Sequence, residues 1–460
     1  MRRAVVVCLV LGIIVVQTVS CARSPSGLTT DRSNQTGQSS SVSYDREQFG
    51  DLETLDPTGE VVTYWHFQTG AHEQVLLDLV DRFNRSNQWG ITVLAESQGS
   101  SAELRSRVFS GIASGRLPSM AAAHPAEALS YAYQDAVVPL TPYVYSRRWG
   151  YTDVELRDFY PGILISGYAP QLDARFGWPF YRSMDVLYYN QDWLVELGYD
   201  GPPETWERFT EMACAAARQR FSNAKGRGTT LGYEYAWSSE QFIASLFSHG
   251  GDMTDGIGTR YVFGGPEGVA ALSLQRELTA QECAHAVITP DQDEANFGSG
   301  WTLFTLAPVH YVPQYTQLVE RGAGFEWSVQ FPPYAGSRPR MRSHGPGHSI
   351  FANTPKNQLA AWLFIRWMSE PAQQAEWVTG TSYLPVRAST TRLLSDYLAA
   401  NPAYGKALGF MRYDYGLEIP MARYDECRTA IEHMLAAVAN GEDVASSLDL
   451  AASRCNEHLQ

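Results

Sequence analysis

Residues 179–209 read PFYRSMDVLYYNQDWLVELGYDGPPETWERF. Val186 to Tyr189 combine β-branched, aliphatic and aromatic side chains, the composition of a strand. A short helix follows and ends near Gly198. Pro202 and Pro203 break the chain there. Thr205 then caps a longer helix, with Glu207 and Arg208 in its first turn. A strand, a helix, a break and a capped helix open a new α/β unit, so the pattern of the chain changes near residue 180.

Upstream the rhythm is also α/β. VVTYWHF at 61–67 is a β-rich run. Leu76, Leu79, Val80 and Phe83 then recur at i, i+3, i+4 and i+7, which predicts an amphipathic helix. GITVLAESQG at 90–99 is a second strand, and AELRSRVFSGIASGRLP is a second helix, closed by Gly115 and Pro118. Alternating strands and helices predict βαβ units and a largely parallel sheet. Downstream, 301–311 and 325–333 read as strands, and 353–390 as two helices separated by Pro371 and followed by a turn. No fixed-period repeat is visible.

The chain begins MRRAVVVCLVLGIIVVQTVSC. Arg2 and Arg3 form a positive end, and residues 4–16 form an apolar run shorter than the roughly 20 residues a membrane span needs. The run stops at Cys21, flanked by Ser20 and Ala22. This is the layout of a bacterial lipoprotein signal, with Thr18 where that pattern has Leu. The expectation is a signal peptide over 1–21, lipidation of Cys21 and export. An ordinary secretory signal with an incidental cysteine is the alternative. Residues 22–59, rich in Ser, Thr, Gln and Gly, are expected to be a flexible tether.

The 460-residue chain leaves about 400 residues for the body, more than one simple core holds, which points to two domains. A formal charge of −14 argues against a nucleic-acid partner. Six cysteines occur, two of them, Cys8 and Cys21, in the leader. None of the other four has metal-ligand spacing. Cys427 with Cys455 is one candidate staple, and four reduced, buried thiols are the alternative.

YWHFQTG, GIASGRLPS, the quoted 179–209 segment, LAAWLFIRWMSEPAQQAEW and TSYLPVRAS together resemble the extracellular solute-binding proteins, family 1, of ABC importers. The resemblance implies a two-lobed periplasmic-binding-protein fold, type II-like. Crossover strands join the lobes and the ligand lies in the cleft between them. By analogy the N-lobe is 60–180 plus 305–344, and the C-lobe is 184–302 plus 346–460. It implies a small-molecule solute, of sugar or glycerophosphate type, and the permease subunits as partners. It also implies a monomer, no cofactor, no metal and no catalytic activity.

The nearest pattern is that of glycerol-3-phosphate and glycerophosphodiester binders. By that resemblance Tyr383 and Arg428 hold a phosphate, and Ser183 and Gly347 lie near the ligand. An arginine fork suits phosphate because it donates two parallel, charge-assisted hydrogen bonds. The sequence departs from the pattern at Ser101, where a tyrosine is expected, and at His124 and Pro125, where an acid usually meets the glycerol hydroxyls. Trp65 and Trp237, with Trp178, are candidate platforms for a sugar face or a quaternary ammonium; core packing is the competing use.

Two other classes compete. An exported hydrolase would need a nucleophile or metal motif, and GxSxG, HExxH and the P-loop are all missing. Two carboxylates converging from distant segments are the remaining route to one. His66, His72, His344 and His348 read as surface or hydrogen-bonding histidines. A surface receptor or adhesin on the same fold is the second competitor.

Overall fold

The structure, a computed structural model, describes residues 44–459 except 288, 290, 414 and 417. The expected signal peptide, Cys21 and the first part of the expected tether lie outside the described residues. The tether expectation needs correcting at its other end. Arg46–Phe49 form a helical turn, and Phe49 and Leu52 are buried. The Phe49 ring meets Tyr143 edge-on at 5.4 Å, and Trp149 Nε1 donates to the Leu52 carbonyl at 2.7 Å. Two apolar side chains in a polar stretch suffice, since each contributes about 1.5–3 kcal/mol on burial.

The strands run β1 (Val61–His66), β2 (Thr92–Ser97), β3 (Met120–Ala123), β4 (Tyr168–Ala169), β5 (Ala174–Arg175), β6 (Trp178–Pro179) and β7 (Ser183–Asn190). They continue as β8 (Leu231–Tyr235), β9 (Ala284–Ala286), β10 (Thr302–Pro308), β11 (Trp327–Gln330), β12 (Met341–His344), β13 (Gly347–Ile350) and β14 (Tyr415–Gly416). One sheet has the order β2-β1-β3-β13-β6. Its β1 pairs in parallel with β2 and β3, as the alternating pattern predicts. The helix Gly70–Ser86 turns Leu76, Leu79, Val80 and Phe83 inward against it. The second sheet has the order β14-β12-β7-β10-β8-β9, with β11 also on β7. Every residue of β7 is buried, as expected for a strand covered on both faces.

The lobes divide differently from the analogy. Residues 302–308, 327–330 and 341–344, expected mostly in the N-lobe, pair antiparallel with β7 in the second sheet. β13, expected in the C-lobe, pairs with β3 and β6 in the first. The helices Pro355–Met368 and Pro371–Thr381 pack on that same sheet's side. Strand partners are chosen by long-range backbone hydrogen bonds, which residue-by-residue analogy does not carry.

The chain crosses between lobes at 180–182, at 345–346 and again between Leu393 and Pro402. The first two crossings touch closely. Gly345 has φ +149°, and a Cβ there would sit 2.5 Å from the Tyr181 carbonyl oxygen, so only glycine fits. Two disulfides staple the second lobe, Cys214–Cys283 and Cys427–Cys455. The cysteines are therefore not four free thiols. By loop-closure entropy the bridges contribute about 3.5 kcal/mol (Cys427–Cys455) and about 4.5 kcal/mol (Cys214–Cys283).

Candidate ligand-binding cleft

A cavity of about 1350 Å³ opens between the lobes. From the first lobe Ser101, Arg105, His124 and Glu127 face it, and from the second Glu240, Arg342, Tyr424 and Arg428. Ser101 starts the helix Ser101–Ser114, whose N-cap Ser100 and Glu103 close a capping box. The helix Pro125–Ala132 carries Glu127 in its first turn, where one carboxylate oxygen accepts from the His124 backbone N–H at 2.8 Å.

The second-lobe wall is an ion-pair network. Arg342 lies 3.4 Å from Asp185 Oδ2 and 3.0 Å from Glu418 Oε1, and its side chain is only 11% exposed. His344 Nε2 is 3.3 Å from Asp185 Oδ1. Burial alone would raise Asp185, but His344 and Arg342 beside it hold its carboxyl below the usual range. Tyr424 donates its hydroxyl to Glu418, and Arg428 is ion-paired with Glu240. Against burial, Arg428 also holds Glu240 low. On the facing wall burial pushes Glu127 up to about 7. Burial, aided by the charges of His344, Arg182, Arg342 and Arg428, pushes His124 down to about 4.

Arg182 lies where the crossings meet. Its Nη1 donates to the carbonyls of Gly345 (2.7 Å), Pro346 (3.1 Å) and Tyr181 (3.1 Å), and Nη2 donates to Ser166 Oγ. Its backbone exchanges two hydrogen bonds with Leu384. Arg182 thus ties the first-lobe hairpin region, both early crossings and the 384 segment together. Burial lowers its guanidinium to about 10, still protonated at neutral pH.

Among the residues singled out by sequence, Ser101, His124, Pro125, His344 and Arg428 line this cavity. Tyr383 does not line it. Its ring stacks on His310 at 4.2 Å and lies 4.2 Å from Tyr181. Ser183 Oγ is 2.9 Å from His310 Nδ1, so Ser183 and Tyr383 meet the same imidazole. Gly347 is buried in β13, where a Cβ would press on the Trp178 carbonyl at 2.9 Å. Trp65 donates from Nε1 to Glu96 across the β1–β2 pair, and Trp237 meets Tyr235 edge-on. Trp178 is fully buried and stacks on Tyr151. The proposed phosphate pair, Tyr383 and Arg428, is therefore not brought together on one cavity wall. Glu127, Asp185, Glu240 and Arg342 were not singled out. Each is one polar residue in an ordinary element, and only Glu127, three residues after His124, carried a local signal, that of a helix cap.

The arrangement can hold a polar solute by directed hydrogen bonds from both sides. Among the described residues no group of His, Cys, Asp and Glu is placed to hold a metal ion. Two α/β lobes, close-packed crossings and a polar cleft between them define a binding protein of the hinged type. The profile of the bacterial extracellular solute-binding proteins matches residues 78–406, and the chain belongs to that family. It is similar to the sn-glycerol-3-phosphate-binding periplasmic protein UgpB of Salmonella typhimurium, 24% identical over 422 residues, covering 87% of this chain and 92% of that protein. In fold it is similar to the cyclic alpha-maltosyl-1,6-maltose binding protein of Arthrobacter globiformis, with TM-score 0.73, 20% identity and 87% and 98% of the two chains covered. It is likewise similar to UgpB of Mycobacterium tuberculosis in complex with glycerophosphocholine, with TM-score 0.71, 19% identity and 87% and 98% coverage.

Proposed function

We propose that this solute-binding protein captures a carbohydrate-type or glycerophosphodiester solute by closing its lobes, and delivers it to the permease of an ABC importer. The observation that carries the reading is the cavity of about 1350 Å³ between hinged lobes, lined by hydrogen-bonding groups from both. The relatives support the solute classes: one binds sn-glycerol 3-phosphate, one a cyclic maltosyl-maltose, and one is seen with glycerophosphocholine. The cleft's own charges narrow the choice. Arg342 and Arg428 are already paired with Asp185, Glu418 and Glu240, so a dianion meets arginines that are largely neutralised. A neutral sugar or a zwitterionic diester suits such a wall better than a phosphate monoester.

Calorimetry with maltose, sn-glycerol 3-phosphate and glycerophosphocholine tests this. A bound solute at 100 times its Kd stabilises by about 2.7 kcal/mol, which a thermal shift also detects. Binding of none of them, together with turnover of any, would move the protein to the hydrolase class. The protein works as a monomer outside the cytoplasm, held at the membrane through a lipid on Cys21, facing the periplasm or the exterior. The sequence of the first 21 residues supports this placement. Cys21→Ser should release it from membranes into the aqueous phase on detergent partitioning; unchanged partitioning would remove the anchor.

A further inference from the structure

The helices Ser239–Ser248, Pro266–Ala280, Tyr424–Ala439 and Val444–Glu457 of the second lobe pack around an apolar core separate from that of the two sheets. Phe242, Leu272, Ile431 and Leu448 are fully buried in it. The last two helices form a hairpin. A turn at Asn440 and Gly441 closes one end, where Gly441 N–H donates to the Val438 carbonyl at 3.0 Å and Glu442 N–H to the Ala437 carbonyl at 3.1 Å. The Cys427–Cys455 bridge closes the other end, joining the first turn of one helix to the last turn of its neighbour.

The bridged end is the cleft end. Tyr424, Asp425 and Arg428 line the cavity, while Cys427 between them turns inward and is buried. Their helix starts from Arg423 at φ +51°, without a side-chain cap. Among the described residues none of Val444–Glu457 faces the cavity, so that helix can act on the cleft only through its neighbour. It is tied down one residue beyond the cysteine. Asn456 Oδ1 accepts from the Tyr261 N–H at 2.8 Å, and its Nδ2 donates to the Tyr261 carbonyl at 3.1 Å.

Leverage makes the bridge matter. Arg428 lies about 18 Å along the helix from Asn440. A tilt of about 5° at the turn would move it by about 1.5 Å, more than a hydrogen bond tolerates. Apolar packing is non-directional, whereas the bridge holds the Cα atoms of Cys427 and Cys455 4.6 Å apart. The other bridge is placed differently. Cys214 lies on the helix Trp206–Arg218, and Cys283 precedes β9 at the outer edge of the second sheet. Among the described residues neither that helix nor β9 contributes to the cavity wall.

We propose that Cys427 and Cys455 are positioning residues for solute binding. Their bridge, braced by Asn456, holds Tyr424, Asp425 and Arg428 where a solute in the cleft meets them, whereas Cys214–Cys283 only staples the lobe. The inference rests on the solute-binding reading above.

The two bridges provide matched variants of the full chain, Cys427→Ala/Cys455→Ala and Cys214→Ala/Cys283→Ala. Calorimetry with maltose and glycerophosphocholine, below the unfolding temperature of each variant, compares them with the intact protein. Loss of the Cys427–Cys455 bridge should weaken binding roughly tenfold or more. Loss of the other should leave affinity within about twofold, although it lowers the unfolding temperature at least as far because it closes the longer loop. Equal losses of affinity in the two variants would mark a general effect of stability and overturn the proposal. So would unchanged affinity without the Cys427–Cys455 bridge. If that variant does not fold, Asn456→Ala decides, since it keeps both bridges and frees only the end of the brace: weaker binding of the same probe supports the proposal, and unchanged affinity overturns it. Failure of the intact protein to bind either probe would remove the underlying reading and this inference with it.

Discussion

Arg105 on the helix Ser101–Ser114 of the first lobe is ion-paired with Asp425 on the helix Tyr424–Ala439 of the second. The bond spans the cleft. Gln171 Nε2 makes a second bridge, donating to the carbonyls of Gly258 at 2.9 Å and Pro420 at 2.7 Å. The lobes are thus linked by the protein's own groups, with the crossings held by Arg182 behind them.

The Arg105–Asp425 pair is partly exposed, so it contributes about 0–1 kcal/mol to closure. Arg105→Ala should shift the open-to-closed ratio by up to about fivefold and enlarge the radius of gyration of the unliganded protein in small-angle scattering. Raising salt on the intact protein should act in the same direction. A radius that responds to neither change would show that the pair does not hold the cleft.

Arg182 should matter to stability more than its position at the cleft floor suggests. Replacing it with Met leaves the carbonyls of Gly345 and Tyr181 without a donor and Pro346 with only the Phe180 N–H at 3.4 Å. Each buried carbonyl left bare costs about 1–3 kcal/mol. Urea unfolding of Arg182→Met should show a midpoint lowered accordingly. An unchanged midpoint would mean that water replaces the guanidinium at the crossing.

Tyr383 and Arg428 should respond differently. Tyr383 packs on His310 and Tyr181 away from the cavity, so Tyr383→Phe should change solute affinity less than twofold. Arg428 lines the cavity and is paired with Glu240. If a diester phosphate sits against it, Arg428→Ala should cost about 2–5 kcal/mol of binding. For maltose the loss should be much smaller. Calorimetry of both variants with both solutes decides, and equal losses for the two solutes would rule out a phosphate at Arg428.

Glu127 also sets a pH dependence of stability. Its folded pKa is about 7 against an ordinary 4.5, so the native state binds its proton more tightly than the unfolded state. Its stabilising contribution is full below about 4.5 and is lost as pH rises through 7. His124, held near 4, works in the opposite sense, losing stability as pH falls below 6.5. Comparison with Glu127→Gln isolates the carboxyl. The variant should gain stability relative to the intact protein between pH 5 and 8, read as a growing difference in unfolding temperature. A difference that stays flat across that range would show that the carboxyl is not held neutral by burial.

Much of this protein is legible along its chain. The spacing of Leu76, Leu79, Val80 and Phe83 is a local, 3.6-residue signal, and the helix follows it. The run at Val186–Tyr189 is likewise a strand, and the α/β alternation sets the fold class. Tertiary structure alone decided that β10 and β12 join β7, and that β13 returns to the first sheet. It also decided which arginines meet which carboxylates, as with Arg342 between Asp185 and Glu418, 157 and 76 residues away. Those choices rest on backbone pairing and charge contacts between segments far apart in sequence, and no local period encodes them. For the same reason Tyr383 and Arg428, alike as polar residues in a matching motif, part company: one is packed on an imidazole and the other is open to the cleft.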